Sequence, residues 1–103
     1  EIAAIANELL LQEYMLAGAR TEDERLYYLG YALEQMRGTF YRQVMFSEFE
    51  LAIHEAVERG EAMTGSRMTQ IYGEILKRYH GHSTGVMKIT DRETIEWTYI
   101  PHF

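Results

Sequence analysis

The chain contains no cysteine, so disulfides, thiolate metal sites and cysteine nucleophiles are all excluded, in agreement with a reducing compartment. Any metal has to be held by histidine and carboxylate groups. Basic residues are outnumbered: 10 Lys and Arg stand against 16 Asp and Glu, a net charge of -6, which disfavours binding to a phosphate backbone or an anionic membrane surface. No apolar run reaches the roughly 18 residues a membrane span needs, and the N-terminus lacks the basic start of a signal peptide. A soluble cytoplasmic chain is expected, with neither nucleic acid nor membrane as partner. The 103 residues, 47% hydrophobic and 25% charged, allow one core and leave no room for two.

What is present is helical spacing. From Glu1 to about Ala17 apolar residues crowd most of the helical circle, while Glu1, Glu8 and Gln12 fall close to one line at about 100° per residue. This predicts a mostly buried helix over about 1–17 with one polar stripe. Such a stripe is either the solvent face of the helix or the lining of a polar interior site. Thr21 and Glu24 stand three apart, as in a capping box, and predict a second helix over about 22–59. Leu26, Leu29, Leu33, Met36, Phe40 and Val44 keep a three-and-four spacing that runs on toward Val57, with Gly60 as the stop and Gly30 and Gly38 as positions for a bend. Thr64 caps a third helix over about 65–80, in which Met68, Ile71, Tyr72, Ile75, Leu76 and Tyr79 share a face and Gly81 marks the end. From His82 onward, the glycines, the polar run Thr90-Asp91-Arg92-Glu93 and the single proline, Pro101, predict an irregular tail or a short β-hairpin over 82–103 that returns to the core through Trp97, Tyr99 and Ile100. The expected class is all-α, residues 1–103 forming one piece. The sequence opens inside an apolar helical pattern and stops at Ile100-Pro101-His102-Phe103 without a polar tail, as expected of an excised part of a longer protein.

Several chemical motifs fail on spacing. A His-Glu-x-x-His helix places two imidazoles on one face beside a glutamate; His54-Glu55 is the only His-Glu pair, and Glu58 occupies the second histidine position. A carboxylate-bridged di-iron bundle needs Glu-x-x-His, but Leu51 lies three before His54 and Glu50 lies four before it. His80 and His82 flank a glycine, and such loop histidines are more often solvated than ligating. Phosphate-cradling glycine loops and the Gly-x-Ser-x-Gly elbow are absent.

Three stretches carry a resemblance. The run from Glu1 to Leu11, the run Gly38-Thr39-Phe40-Tyr41-Arg42-Gln43-Val44-Met45-Phe46-Ser47-Glu48-Phe49-Glu50, and the run from Ile95 to Phe103 resemble, in that order, segments in the C-terminal part of the catalytic domain of oligoendopeptidase F and its thimet oligopeptidase relatives. Together they reach across nearly the whole chain. Ala4, Ile5 and Ala6 depart from the family, where a small polar residue and an aromatic are common, but they leave Glu1 in place. The resemblance implies a mostly helical zinc metalloendopeptidase acting on oligopeptides, with Glu1 as the third zinc ligand beside two histidines from a preceding His-Glu-x-x-His helix that this chain lacks. One zinc position would stay open for water; zinc would lower the pKa of that water, and the missing helix's glutamate would accept its proton. Glu8 would then hydrogen-bond a ligand or orient the site, or else form a helix salt bridge or a solvated carboxylate. His102 would bind substrate and steady the tetrahedral intermediate, together with tyrosines beyond Phe103. Arg42 and Gln43 match a family motif and are read as packing and hydrogen-bonding elements. The implied partners are an oligopeptide substrate and the remainder of the parent peptidase; alone, the piece is expected neither to hold zinc tightly nor to cleave peptides. The competing reading is a non-catalytic helical interaction domain, or an inactive relative, with the eight tyrosines and six methionines presenting a partner surface.

Overall fold

Helix boundaries fall where capping chemistry puts them. In the computed structural model, which describes all residues 1–103, Thr21 accepts the Glu24 backbone N–H at 3.1 Å and opens helix α2, Glu22–Met36. Glu22, Asp23 and Glu24 complement the positive end of its dipole. The reciprocal arm of the expected capping box is shifted by one residue, because the Glu24 carboxylate accepts the N–H of Arg20 at 2.7 Å. The preceding helix, α1, spans Ile2–Ala17. Helix α3, Arg42–Glu58, ends at Gly60 with φ 83°, where Glu61 donates to Ala56 O and Gly60 to Val57 O, both at 2.9 Å. This paired closure needs a left-handed residue, and glycine supplies it without a Cβ clash. Thr64 opens helix α4, Gly65–Tyr79, by accepting the Arg67 N–H at 3.2 Å.

The predicted second helix is present over 22–58 without a break in helical hydrogen bonding, as two α-helices joined by a π turn. Between α2 and α3 the backbone makes a π turn, Arg37–Tyr41, that includes Gly38, while Gly30 stays inside regular α2. A π turn holds one extra residue, and one residue rotates every later side chain by about 100°. The apolar face therefore changes register. Val44 and Val57, on the predicted stripe, are 45% and 55% exposed, whereas Met45 and Phe49, one position out of that register, are completely buried.

The chain divides into two compact units, Glu1–Tyr41 and Arg42–Phe103. In the first, α1 packs along α2, and neither helix contains a buried residue. The expectation of a mostly buried first helix is thus corrected. A continuous apolar circle needs neighbours all round, and α2 covers one flank; Ile2, Leu9, Leu10, Leu11 and Tyr14 stand exposed.

The second unit holds the core. Met45 and Phe49 from α3 meet Ile71, Tyr72, Ile75 and Leu76 from α4, and Ile89 closes the cluster. The α4 face is the one its spacing predicts. No strand forms, so the β-hairpin alternative for the tail is also corrected: the tail winds through a 3-10 turn at His82–Thr84, a one-turn helix α5 at Asp91–Thr94 and a second 3-10 turn at Glu96–Tyr99. Short-range backbone bonds, such as Thr84 N–H to Gly81 O at 3.1 Å and Thr98 N–H to Ile95 O at 3.0 Å, form there in place of a strand ladder. Helix α5 approaches α4 closely at Gly73, where a Cβ would lie 2.9 Å from Thr94 Cγ2.

Candidate functional site

Each residue singled out by sequence has a defined setting. Glu1 is the exposed N-cap of α1, its carbonyl accepting the Ile5 N–H at 3.0 Å. Glu8 lies two turns further along α1, about 10 Å on at 1.5 Å per residue. That spacing suits action through an intervening group better than shared ligation of one ion. The side chains of Glu8 and Gln12 line two shallow concavities along the seam of α1 and α2, of about 310 and 330 Å³, one with Tyr27, Tyr28 and Tyr31, the other with Gln35, Met36 and Phe40. The polar stripe therefore follows a helix–helix groove in the first unit, and Glu8 remains exposed within it.

His102 lies in the second unit, with Nε2 3.2 Å from Glu50 Oε2 on α3. Both side chains border a concavity of about 200 Å³ with Gln43 and Ser47. The neighbouring Phe103 ring packs edge-on against Phe49 at 5.0 Å and Phe46 at 5.8 Å, which ties the end of the chain to the core.

A second polar group holds the tail a few residues earlier. Glu96 accepts Arg42 Nη2 at 2.7 Å and the Tyr72 hydroxyl at 2.6 Å, while Trp97 Nε1 donates to Thr69 Oγ1 at 3.1 Å. Arg42 also sits over the Phe46 ring at 4.9 Å, a packing and hydrogen-bonding part of the kind expected of it. Burial alone would raise the Glu96 pKa, but the hydrogen bonds from Tyr72 and Arg42, with the arginine's charge, outweigh it and hold the carboxyl below the usual carboxylate range. Burial, and then the acceptor Glu96, push the Tyr72 phenol up.

A depressed folded-state pKa means that this carboxylate's contribution is present above the unfolded value, near 4.5, and is lost as pH falls through the folded value. Acid titration of stability should therefore be shallower for Glu96→Gln than for the wild type below about pH 4.5. Urea midpoints at pH 7 and at about pH 3.5 measure this; equal acid sensitivity in the two proteins would count against the network.

Two of the remaining histidines, His80 and His82, serve local structure. His54 and Glu55 are exposed on α3. His80 Nδ1 lies 3.0 Å from Leu76 O at the end of α4, and His82 Nδ1 accepts the Ile89 N–H at 2.9 Å. His80 and His82 are half-buried rather than solvated. No group of three His, Cys, Asp or Glu side chains is arranged to hold a metal ion, so the residues of this chain alone do not fit a zinc site. Sequence reading missed Glu50, Tyr72 and Glu96 as polar partners. Their contacts join residues 52, 24 and 54 apart, and no local pattern marks such pairs.

Known proteins match the chain throughout. It is 42% identical over 104 residues to oligopeptidase PepF of Bacillus subtilis (strain 168), covering 100% of this chain and 15% of that protein. Against the chromosomal oligoendopeptidase F of Lactococcus lactis subsp. cremoris the identity is 40% over 103 residues, covering 100% and 17%. Group B oligopeptidase PepB of Streptococcus agalactiae serotype III (strain NEM316) is 35% identical over 105 residues, with the same coverage. The chain thus spans about a sixth of the length of these relatives. No solved structure matches it. A family model described as peptidase family M3 matches residues 1–102, and the chain belongs to that family.

Proposed function

We infer that this chain is part of a zinc-dependent metalloendopeptidase that hydrolyses internal bonds of short oligopeptides. The observation that carries the reading is the family match over residues 1–102, which includes all three residues assigned here. Glu1 supplies one zinc ligand, and two histidines from the remainder of the parent peptidase supply the others. Glu8 orients that site from behind, and His102 contacts the substrate. The exposed position of Glu1 leaves its carboxylate accessible to such a neighbour. The exposed apolar side chains of α1 and α2, Leu9, Leu10, Leu33 and Met36 among them, support burial against the rest of that protein. No helix is long and apolar enough to cross a membrane; a cytoplasmic location is part of the proposal, and the absence of cysteine agrees with it. By itself the chain neither holds zinc tightly nor cleaves peptides, since one carboxylate is not a metal site.

The test is a cleavage assay on the full-length protein, with unstructured peptides and mass spectrometry of the products. Internal cleavage that stops with a zinc chelator and returns with added zinc is expected. A pure full-length protein that cuts none of a varied set of peptides would overturn the reading and favour a non-catalytic helical module.

A further inference from the structure

We propose that Glu50 is a positioning residue for His102, holding the imidazole by its Nε2 and turning Nδ1 to the substrate; this rests on the substrate-contacting role given to His102 above. The geometry comes from two adjacent residue pairs. Phe49 is fully buried in the core and Phe103 packs on it at 5.0 Å. Their chain neighbours, Glu50 and His102, are thereby brought into register, with Glu50 Oε2 and His102 Nε2 3.2 Å apart. The His102 side chain is 67% exposed, and the hydrogen bond to Glu50 favours one of its rotamers over the others open to it.

The hydrogen bond also divides the roles of the two ring nitrogens. A carboxylate accepts from Nε2–H, so Nδ1 is the atom left for a ligand: an acceptor in neutral imidazole and a donor in imidazolium. Gln43 and Ser47 border the same concavity of about 200 Å³ as His102, so an extended peptide's backbone groups would meet polar neighbours beside the ring. The Ser47 hydroxyl donates to Gln43 O at 3.0 Å, and Glu50 is the side chain seen hydrogen-bonded to the ring.

The test is a double-mutant cycle in the full-length peptidase with Glu50→Ala and His102→Ala, steady-state kinetics being read for each protein. Glu50→Ala should lower kcat/KM about tenfold, mostly in kcat, as expected when a group is misplaced in the transition state. In the His102→Ala background the same change should do almost nothing. Glu50→Gln keeps an acceptor oxygen and should recover most of the loss, whereas a merely structural role for the charge would leave it as damaged as alanine. Full additivity of the two alanine changes, or a Glu50→Ala enzyme with unchanged kcat, would overturn the positioning role while leaving His102 in place. If His102→Ala itself had wild-type kinetics, the assignment of His102 would fail first and this inference with it.

Discussion

Replacing Phe49 by alanine should lower the stability of the second unit by about 3–5 kcal/mol, the range for emptying a fully buried phenylalanine site. Phe49 has no exposed surface, and its ring meets Tyr72 at 5.1 Å, Phe103 at 5.0 Å and Trp97 at 6.5 Å. Those neighbours come from α4 and from two points of the tail, so one side chain joins three separate stretches. They are large and partly held by hydrogen bonds, Tyr72 to Glu96 and Trp97 to Thr69, and cannot close over the space without breaking those bonds. The cost should therefore fall in the upper part of the range. Trp97 is the only tryptophan and lies against the site, so its fluorescence in a urea titration reports this core directly. Phe40→Ala is the internal comparison: same residue type, 67% exposed, and expected to shift stability by no more than about 0.5 kcal/mol. A Phe49→Ala loss below about 1 kcal/mol would mean that the aromatic cluster is not what holds the tail.

The same residues show how far the sequence reads forward and where it stops. Thr21, Thr64 and Gly60 were legible because capping is local: a hydroxyl three residues before an N–H, or a glycine at a left-handed position, acts within one turn. The α4 face from Met68 to Tyr79 was legible because nothing interrupts its period. The α3 face was not, since the π turn at Arg37–Tyr41 adds a residue without leaving a mark on the apolar pattern, and a stripe drawn through Val44 misses Met45 and Phe49. Helix α1 stands exposed for another reason: hydrophobicity all round calls for neighbours on every side, and within this chain α2 covers only one flank. At the candidate site the family resemblance supplied Glu1, Glu8 and His102, whereas Glu50 and Glu96 became visible only when distant segments met in space.

Glu1→Ala in the full-length protein is the most damaging single change expected at the site. If Glu1 is one of three protein ligands, removing it leaves two histidines, too few to keep zinc at ordinary buffer concentrations. Bound zinc should fall well below one ion per chain and peptide cleavage by at least about 100-fold, since even groups that only support a ligand cost about 10–100-fold when lost. Glu8→Ala separates the two roles. Lying about 10 Å along the helix from Glu1, Glu8 should leave zinc bound at micromolar free metal and lower cleavage by about 10-fold or more. Metal content by plasma mass spectrometry, measured beside activity for both variants, distinguishes a ligand from a supporting group. A Glu1→Ala protein that keeps a full equivalent of zinc would remove Glu1 from the coordination sphere, whatever its activity. The reverse ordering, with Glu8→Ala emptying the site and Glu1→Ala leaving it filled, would move the ligand role from the helix N-terminus to the groove that α1 forms with α2.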